Sequence, residues 1–375
     1  MLHAIIMAGG RGARLWPEST PQCPKPFLKF QNDTPMIRVC YDSLFGVVDA
    51  SRINIVANSK LVPLIHEAIP TIRLENIIQE PVPKNTAPCI GLAALFLLRN
   101  DPDATMIVLP SDHVIESVPG SNEKGLTQFR DTLRLAADLV EESPEHLVTI
   151  GAEVRHPSTA FGYLEMKTAI ETSATEKWKN LSNVYEVEKF LEKPDLINAQ
   201  GFQNSGRHLW NMGIFVWKAR RILELINEFH PELGKNLKMV EKSIKSPDFP
   251  EILESVYRNI DGISIDYAVM EYAKNVVAIK APFYWNDMGN WNALGNLKST
   301  KQDDANNVVS RCQLYTQNSS GNIVRSGDPN DKIVLIGVDN LIIIQSKSGL
   351  LVANRENQDE ISDFLTEFNK DESCT

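Results

Sequence analysis

The chain begins with the stretch LHAIIMAGGRGARLWP at residues 2–17, in which a short apolar run leads directly into a glycine-rich loop. Residues 3–7 are too few and too apolar for a surface helix, so they are predicted to form a buried strand. Two further apolar runs and two helical patterns follow at 53–57, 105–109, 35–45 and from Thr86 onward. The resulting order β-α-β-α-β is typical of an α/β fold with a Rossmann-like, mainly parallel sheet flanked by helices.

The pattern changes past residue 292, where turns rich in Asn, Ser, Asp and Gly separate short β runs such as 333–336. A chain of 375 residues is long enough for two domains at the usual ~150 residues each. We therefore predict an α/β domain over 1–292 and a small β-rich domain over 293–375 that ends in a helix near 356–368. No hexapeptide repeat is sustained, so the second domain is expected to be a short left-handed β-helix-like coil of two or three turns at most.

Composition and charge exclude several classes of protein. Apolar residues make up 43% of the chain, and 38 basic against 48 acidic residues give a net charge of −10. A field of this sign does not attract nucleic acid or an anionic membrane, so neither is expected as a partner. The five cysteines form no CxxC pair, no apolar run reaches the ~18–20 residues of a bilayer span, and no basic leader precedes the first strand. We therefore expect a cytoplasmic location.

The glycine-rich loop has the composition of a polyphosphate site. Its three glycines allow main-chain N–H groups to approach an anion closely, and they are Gly9, Gly10 and Gly12. Four basic residues and one acidic residue give a local charge of +3, from Arg11, Arg14, Lys25 and Lys29 against Glu18. A dinucleotide fingerprint would need a glycine where Leu15 stands, and the Gly-Lys-Ser/Thr ending of a P-loop is absent. The alternative interpretation is an ordinary glycine-rich surface turn.

This loop resembles the signature of the sugar-1-phosphate nucleotidylyltransferases. The shared pattern is Gly-Gly-x-Gly-x-Arg-Leu-x-Pro at 9–17 followed by Pro24-Lys25, and the Leu-Trp-Pro form at 15–17 is similar to that of members that use GTP and mannose 1-phosphate. Further matches lie at 79–81, 85–88, 109–113, 161–163, 190–195, 210–215, 264–267 and 287–291. One departure touches the expected nucleotide contacts, since Lys84 stands where the family pattern has arginine.

The resemblance implies transfer of GMP from GTP to α-D-mannose 1-phosphate, giving GDP-mannose and pyrophosphate. The attacking sugar phosphate already carries ionised oxygens, so positioning and charge neutralisation supply most of the rate and no protein nucleophile is needed. The implied catalytic residues are Arg14, Lys25 and Lys193, and the implied nucleotide contacts of the loop are Gly9, Gly10 and Gly12. Two alternatives stay open: a relative that uses another sugar or base, and a catalytically silent subunit that senses nucleotide sugars. The β-rich appendage makes a homodimer a reasonable expectation.

Asp112 and Asp287 are candidate ligands for Mg²⁺, and Asp112 is also expected to contact the nucleotide. Asp112 follows the apolar strand that ends at Pro110, which places it at the carboxyl edge of the sheet, where open α/β folds bind ligands. Mg²⁺ prefers one or two protein carboxylates together with phosphates and water. The alternatives are a helix N-cap for Asp112 and a turn residue for Asp287, and the family match at both positions favours the metal. His113 has no correctly spaced second histidine and is interpreted as structural.

Glu80, Asn85 and Thr86 are candidates for base selection, because they lie between the end of a strand near 77–78 and the start of the next helix. Guanine presents its N1–H and its N2 amine on one edge, so a carboxylate that accepts both would discriminate against adenine. The resemblance assigns this stretch to guanine recognition. The alternative is a proline-punctuated loop in which Thr86 merely caps the helix.

The resemblance places the sugar phosphate on the later strands, at Gly162, Glu192, Lys193 and Asn211. Glu192 can accept hydrogen bonds from hydroxyls, Lys193 can pair with the phosphate, and Asn211 offers a donor and an acceptor to a vicinal diol. Gly162 permits close approach of the backbone to the ring. The alternative is a solvated Glu-Lys pair at an ordinary strand end. Four tryptophans are predicted to be core anchors, namely Trp210, Trp217, Trp285 and Trp291.

Overall fold

A computed structural model describes residues 1–10, 12–30, 33–118, 124–169, 183–297 and 300–372. The chain divides into two compact units. The first unit comprises 1–9, 40–111 and 117–284, and the second unit comprises 10–39, 112–116 and 285–375. The second unit is therefore larger than the β-rich segment predicted at 293–375, because two segments from earlier in the chain belong to it.

The strands are β1 Leu2–Ala8, β2 Ile53–Asn58, β3 Ile77–Glu80, β4 Thr105–Pro110, β5 Val114–Glu116, β6 Leu147–Glu153, β7 Tyr163–Ala169, β8 Val184–Leu191, β9 His208–Lys218, β10 Val276–Lys280, β11 Tyr284–Asn286, β12 Lys301–Gln302, β13 Val308–Ser310, β14 Gln313–Gln317, β15 Ile323–Ser326, β16 Lys332–Ile336, β17 Leu341–Ser346 and β18 Gly349–Asn354. The helices are α1 Met36–Ser43, α2 Val62–Ala68, α3 Thr86–Leu98, α4 Gly125–Glu142, α5 Leu196–Ser205, α6 Ala219–Phe229, α7 Pro231–Ser243, α8 Phe249–Asn259, α9 Asn292–Gly295 and α10 Glu360–Glu372.

The first unit is built on a nine-stranded sheet in the order β3-β2-β1-β4-β9-β6-β10-β8-β7. Strands β3, β2, β1 and β4 are parallel to their neighbours, as are β6 and β10. Strand β9 lies antiparallel between β4 and β6, and β8 pairs antiparallel with β10. The predicted α/β class and β-α-β-α-β start are therefore confirmed, and the sheet as a whole is mixed because the strands after β4 add antiparallel ladders.

The core of the first unit lies against helix α3, whose residues are apolar all round and almost entirely buried. Such a helix must be covered by other elements, and α6 contributes Ile222, Leu225 and Ile226 to the same core. Trp217 is fully buried and stacks on Phe215, with ring centroids 5.1 Å apart. Burial of each such side chain contributes roughly 1.5–3 kcal/mol. The predicted burial of all four tryptophans is confirmed, since none is more than 3% exposed.

The second unit contains the β-rich coil. Strands β13, β15 and β17 form one parallel ladder, and β14 and β16 form a second one. Parallel pairing of strands about one coil apart is the pattern expected for stacked turns of a solenoid, so the β-rich character of the C-terminal region is confirmed, while the handedness of the coil stays a prediction. Helix α10 begins at Glu360, later than predicted, because Arg355–Asn357 form a separate 3₁₀ turn capped by the Asn354 side chain.

The core of the second unit joins the coil to the segment that follows the glycines. Leu15 and Leu28 pack in one cluster with Trp291, Ile323 and Ile342, all of them buried. Of the cysteines in the described part of the chain, Cys89 and Cys312 are free thiols. Across that same part, every helix is too short or too polar to cross a bilayer.

Candidate active site

Residues 12–30, which begin with the third glycine, are called the signature loop. Gly12 has a φ of +63°, and a Cβ at this position would lie 2.5 Å from the Cβ of Lys25. Glycine is therefore required here both for its backbone conformation and for the close approach of the lysine stem. A Cβ at Gly9 or Gly10 would meet no atom within 4 Å, so packing requires glycine at neither position, although Gly10 has a φ of +98°. Their contacts with an anion stay a prediction. Arg11, which was counted in the local charge, lies outside the described residues.

Lys25 is the centre of the charged group in the second unit. Its Nζ lies 2.7 Å from Oδ2 of Asp112 and donates a hydrogen bond of 2.6 Å to the main-chain carbonyl of Asp287. The side chain of Lys25 is only 11% exposed and that of Asp112 17%. Strands β5 and β11 pair in a small sheet, which brings Asp112, shortly before β5, near Asp287, directly after β11. The three residues are therefore brought together.

The electrostatics of this group keep Asp112 ionised. Burial alone would raise the pKa of Asp112, but the adjacent Lys25 ammonium lowers it below its ordinary value. The alternative interpretation of Asp112 as a helix N-cap is wrong, because residues 114–116 form strand β5 and not a helix. Asp112 is therefore free of that backbone role and contacts Lys25 instead.

Asp287 sits in a tight turn as well as in the charged group. Its Oδ1 accepts a hydrogen bond of 3.2 Å from the main-chain N–H of Gly289, and a Cβ at position 289 would lie 2.6 Å from its Oδ2. The preceding Asn286 accepts from the N–H of Met288, which has a positive φ of +50°. The turn thus fixes the direction of the carboxylate, so the turn interpretation and the ligand interpretation are compatible.

His113 and Arg14 complete the second unit's candidates. The indole Nε1–H of Trp285 donates to Nδ1 of His113 at 3.1 Å, and the two rings meet edge to face. Burial lowers the pKa of His113, so the ring is neutral at pH 7 and holds β11 in place, in line with the predicted structural role. Arg14 lies in the 3₁₀ turn Ala13–Leu15 and is exposed, and no described residue forms an ion pair with it.

Glu80 lies in the first unit at the carboxyl end of β3. It is 8% exposed, and its Oε1 has no hydrogen-bond partner among the described residues. Burial raises the pKa of Glu80 to about 7, an effect that the nearby Tyr257 side chain opposes. An unpaired buried carboxyl oxygen is costly, so Glu80 is a candidate acceptor for hydrogen bonds from a ligand.

The neighbours of Glu80 differ from the sequence-based prediction in one respect. The residue that caps α3 is Asn85 and not Thr86, since Oδ1 of Asn85 accepts from the Thr86 N–H at 2.8 Å. Oγ1 of Thr86 accepts instead from the N–H of Ile265 at 2.8 Å. Lys84 donates to the carbonyl of Arg258 at 3.0 Å, near the end of α8. Asn85 is the cap because its backbone, with φ +72° and ψ −174°, lies outside the helical region while its amide oxygen reaches the N–H of Thr86.

The four predicted sugar contacts are brought together in the first unit. The N–H of Asn211 donates to the carbonyl of Gly162 at 2.8 Å, and a Cβ at Gly162 would collide with Oε2 of Glu192. Nζ of Lys193 lies 3.2 Å from Oε1 of Glu192. Thr149 donates to Oδ1 of Asn211 at 3.1 Å and so fixes the orientation of the amide.

Asp266 belongs to this cluster and received no role in the sequence analysis. It begins a π-helical turn at Asp266–Met270, and its Oδ1 accepts from Nδ2 of Asn211 at 3.1 Å. Burial first, and then the Glu192 carboxylate, raise the pKa of Asp266 to about 7. The family match at 264–267 was the signal that could have identified it. π-helical turns are frequent at functional sites.

A metal ion at Asp112 and Asp287 would need further ligands from outside the protein. Among the described residues there is no group of three or more His, Cys, Asp or Glu side chains placed to hold a metal. Asp112 and Asp287 supply two hard carboxylates, which is the protein share that Mg²⁺ usually takes when phosphates and water complete its shell. The donor set therefore fits a metal that binds together with a nucleotide.

The chain is similar to known nucleotidyltransferases in sequence and in fold. The family model described as "Nucleotidyl transferase" matches residues 3–304. A mannose-1-phosphate guanylyltransferase of Klebsiella pneumoniae is 33% identical over 99% of this chain and 75% of its own length, and one from Escherichia coli is 33% identical over 96% and 72%. A crystal structure described as mannose-1-phosphate geranyltransferase from Thermus thermophilus superposes with a TM-score of 0.82 at 26% identity, covering 98% of this chain and 99% of that one.

Proposed function

We propose that this chain, which belongs to the nucleotidyl transferase family, transfers GMP from GTP to α-D-mannose 1-phosphate. The products are GDP-mannose and pyrophosphate. The names of the curated relatives support this choice of substrates. The structural observation that carries the proposal is the position of the Lys25 ammonium, which binds the carboxylate of Asp112 and the main-chain carbonyl of Asp287. Phosphoryl chemistry of this kind depends on positioned charge.

No group of the protein is covalently modified during the reaction. An oxygen of the mannose 1-phosphate attacks the α-phosphorus of GTP, and the bond from that phosphorus to the oxygen bridging to the β-phosphate breaks. Pyrophosphate leaves with the electron pair. We assign Lys25 and Arg14 to the negative charge of the triphosphate and leaving group, and Lys193 to the orientation of the attacking phosphate. Gly9, Gly10 and Gly12 are assigned main-chain contacts to the phosphates.

Nucleotidyltransferases of this family generally use a divalent metal, and we propose Mg²⁺ held by Asp112 and Asp287. When bound, the ion would supply neutralisation of phosphate charge. Lys25 occupies one side of the Asp112 carboxylate and keeps it ionised, so this carboxylate is prepared to bind a cation at neutral pH. Titration with Mg²⁺, Mn²⁺ and Ca²⁺ in the assay below identifies the preferred ion.

Guanine selection is proposed for Glu80, with Asn85 and Thr86 beside it. The buried, unpaired Oε1 of Glu80 supports this assignment, since N1–H and the N2 amine of guanine would provide the missing donors. Sugar selection is proposed for Gly162, Glu192, Asn211 and, in addition, Asp266. The acceptors of these side chains suit the hydroxyl groups of a hexose.

The decisive experiment measures pyrophosphate release from a panel of nucleoside triphosphates and sugar 1-phosphates. We expect turnover to be highest with GTP and mannose 1-phosphate and to require a divalent metal. Higher turnover with another pair would identify one of the related transferases. Tight binding of GDP-mannose without pyrophosphate release at saturating substrates would favour the catalytically silent sensor.

Two further predictions concern the whole protein. A cytoplasmic location is proposed because the five cysteines form no CxxC pair and their spacing matches no zinc or disulfide framework. A homodimer is proposed on the sheet of β14 and β16, where the paired Tyr315 and Val334 and the nearby Ile336 are each more than half exposed. Light scattering of the purified chain tests the dimer, and Val334→Lys is expected to shift it towards monomer.

A further inference from the structure

Arg325 is a buried arginine in the coil, far along the chain from the signature loop. It lies on β15 and is only 2% exposed. Its Nε and Nη2 bind the two oxygens of Glu18 at 2.7 and 3.0 Å, its Nη1 donates to Oγ of Ser310 at 2.7 Å, and its Nη2 donates to the carbonyl of Lys29 at 2.7 Å. The guanidinium also lies over the ring of Phe30, with Cζ 5.0 Å from the ring centroid. Every nitrogen of the side chain is therefore in use.

The signature loop has two arms: the first carries Arg14 and Glu18, and the second carries Lys25 and Lys29. Arg325 binds one residue on each arm, Glu18 and Lys29. Glu18 follows the turn that carries Arg14, and its N–H donates to the carbonyl of Leu15 at 3.1 Å. Lys29 follows the turn that carries Lys25, where the N–H of Leu28 donates to the Lys25 carbonyl at 3.0 Å. A single planar guanidinium thus fixes the spacing between the two arms, and with it the separation of the two cations assigned to the triphosphate.

Two neighbouring contacts hold the same loop from the coil side. Nε1 of Trp291 donates to the carbonyl of Trp16 at 2.9 Å, and Oγ of Ser346 donates to the carbonyl of Pro17 at 2.8 Å. Neither contact reaches the arm that carries Lys25. Thr20 and Cys23 are joined within the loop by main-chain hydrogen bonds of 3.0 and 3.1 Å. Arg325 adds a side chain from the coil that binds both arms by hydrogen bonds.

A stability role alone does not account for this arrangement. Taking an arginine and a glutamate out of water costs several kcal/mol, and a hydrophobic pair of the same volume is often equally or more stable, by about 1–4 kcal/mol. What an apolar pair cannot do is fix distances, whereas a bidentate guanidinium binds a carboxylate in one geometry. Displacement of a catalytic group by about 1 Å can lower a rate by about 100-fold.

We propose that Arg325, together with Glu18, is a positioning pair for nucleotidyl transfer: it locks the two arms of the signature loop so that Arg14 and Lys25 engage the triphosphate together. The coil is then part of the catalytic apparatus and not a passive appendage. The inference rests on the proposed function, since it assigns the loop cations to a nucleoside triphosphate.

The test uses Arg325→Lys and Glu18→Gln in the full chain, with Arg311→Ala as the control. Lysine keeps the charge of Arg325 but cannot bind Glu18, Ser310 and the Lys29 carbonyl in the same fork geometry. Arg311 is an arginine of the same unit that pairs with Asp33, whose side chain is 72% exposed, and that donates to the carbonyl of Gly327 at 3.3 Å. Ser310→Ala removes one of the Arg325 contacts and serves as a milder variant in case the others fold poorly.

We expect Arg325→Lys and Glu18→Gln to lower kcat at least about tenfold and to raise the KM for GTP, with the KM for mannose 1-phosphate changed less than about twofold. Ser310→Ala is expected to show the same pattern more weakly, and Arg311→Ala to behave as wild type. If the folded variants keep wild-type kcat and KM while their Tm falls, the pair is merely structural and the inference is overturned.

Calorimetry with GTP separates this inference from the proposed function. If the wild-type chain releases no pyrophosphate from any substrate pair, the proposed function fails, while the inference is still tested by affinity. Arg325→Lys is then expected to weaken GTP binding at least about tenfold, because two poorly spaced cations neutralise the triphosphate less well. Equal GTP affinity of the wild type and the variant would overturn the inference.

Discussion

Asp112 in the second unit is partly buried and Glu80 in the first unit is buried, yet the two acids differ in charge at neutral pH. Burial is the largest influence on both, and it raises the pKa of Glu80 to about 7. For Asp112 the neighbouring Lys25 ammonium reverses the outcome, so that its pKa lies below the ordinary value. The comparison shows that a neighbouring cation, more than the depth of burial, decides whether a carboxylate is ionised in this protein. It also separates the region to which we assign the phosphates and the metal from the region to which we assign the guanine base.

The largest expected effect comes from removing the partner that distinguishes the two acids. Lys25→Ala should lower kcat by about 1,000-fold, since the loss of a preorganised charge at a phosphoryl centre is among the most costly single changes. It also leaves Asp112 without its cation, so its pKa should move towards that of a buried unpaired acid like Glu80. Steady-state pyrophosphate release measures the rate, and circular dichroism checks the fold.

Lys29→Ala is the matched control, because Lys29 lies in the same loop with an exposed side chain and contributes its main-chain carbonyl to Arg325. It should retain wild-type kcat. Turnover of Lys25→Ala close to that of Lys29→Ala would remove Lys25 from the mechanism and abolish the contrast between the two regions.

Asp266→Asn addresses the first unit's other acid with a raised pKa. The variant keeps an oxygen for the amide of Asn211 but loses the charge that strengthens hydrogen bonds to a sugar. A hydrogen bond to a charged group is worth about 1.5–3 kcal/mol, so kcat/KM for mannose 1-phosphate should fall roughly 10- to 100-fold. The KM for GTP should change little.

Asp261→Asn, an exposed aspartate shortly before Asp266, provides the comparison. It should leave both KM values unchanged. A large rise in the KM for GTP in Asp266→Asn, with mannose 1-phosphate unaffected, would move Asp266 from the sugar group to the nucleotide.

The sequence predicted local structure well and spatial partners poorly, for a physical reason. The strands and helices of the first half follow from periodicity and cap residues, which are properties of neighbours along the chain. Lys25 and Asp287 are 262 residues apart, and Arg325 and Glu18 are 307 apart, so no spacing rule connects them. Similarly, nothing in the chain order indicates that β9 lies between β4 and β6.

Resemblance to a family supplied part of what the periodicity lacked. It selected Lys25, Asp112 and Asp287 as candidates, and the structure brings them together. Asp266 was present in a matched stretch but received no role, because its contact with Asn211 and its π-helical turn are visible only in three dimensions. Thr86 was interpreted as the cap of α3 because Asn and Thr are both good cap residues, and which of the two lies outside the helix is known only from the backbone.

Glu80→Gln tests the role of Glu80 in two ways, through the preference for GTP over ATP and through the pH dependence of the free energy of unfolding. Loss of the carboxylate should lower the preference for GTP over ATP by roughly tenfold. The folded-state pKa of about 7 lies above the ordinary 4.5, so the folded protein holds the extra proton and the free energy of unfolding decreases as pH rises across that window. The variant should therefore be more stable than wild type at pH 8, by about 3 kcal/mol at ~1.4 kcal/mol per pKa unit, and the gain should vanish towards pH 4.5.

Urea unfolding of the two proteins at pH 5 and pH 8 measures this difference. Glu75→Gln is the control, because Glu75 is 72% exposed and pairs with an exposed arginine. The difference in stability between Glu75→Gln and wild type should be the same at pH 5 and pH 8, because both proteins retain Glu80. Equal stability of Glu80→Gln and wild type at pH 8 would show that Glu80 is ionised and paired like Asp112, and the two regions would no longer differ.

The smallest effect is expected at Lys84, the position where the chain departs from the family pattern. Its ammonium donates to the carbonyl of Arg258 near the end of α8, where a cation interacts favourably with the helix terminus. Lys84→Ala should therefore lower the free energy of unfolding by at most about 1 kcal/mol and leave the KM for GTP nearly unchanged. Lys84→Arg should restore the stability, because arginine can reach the same carbonyl. A clear rise in the KM for GTP in Lys84→Ala would instead place a cation beside Glu80, and the first unit would then use charge on the nucleotide much as the second unit does.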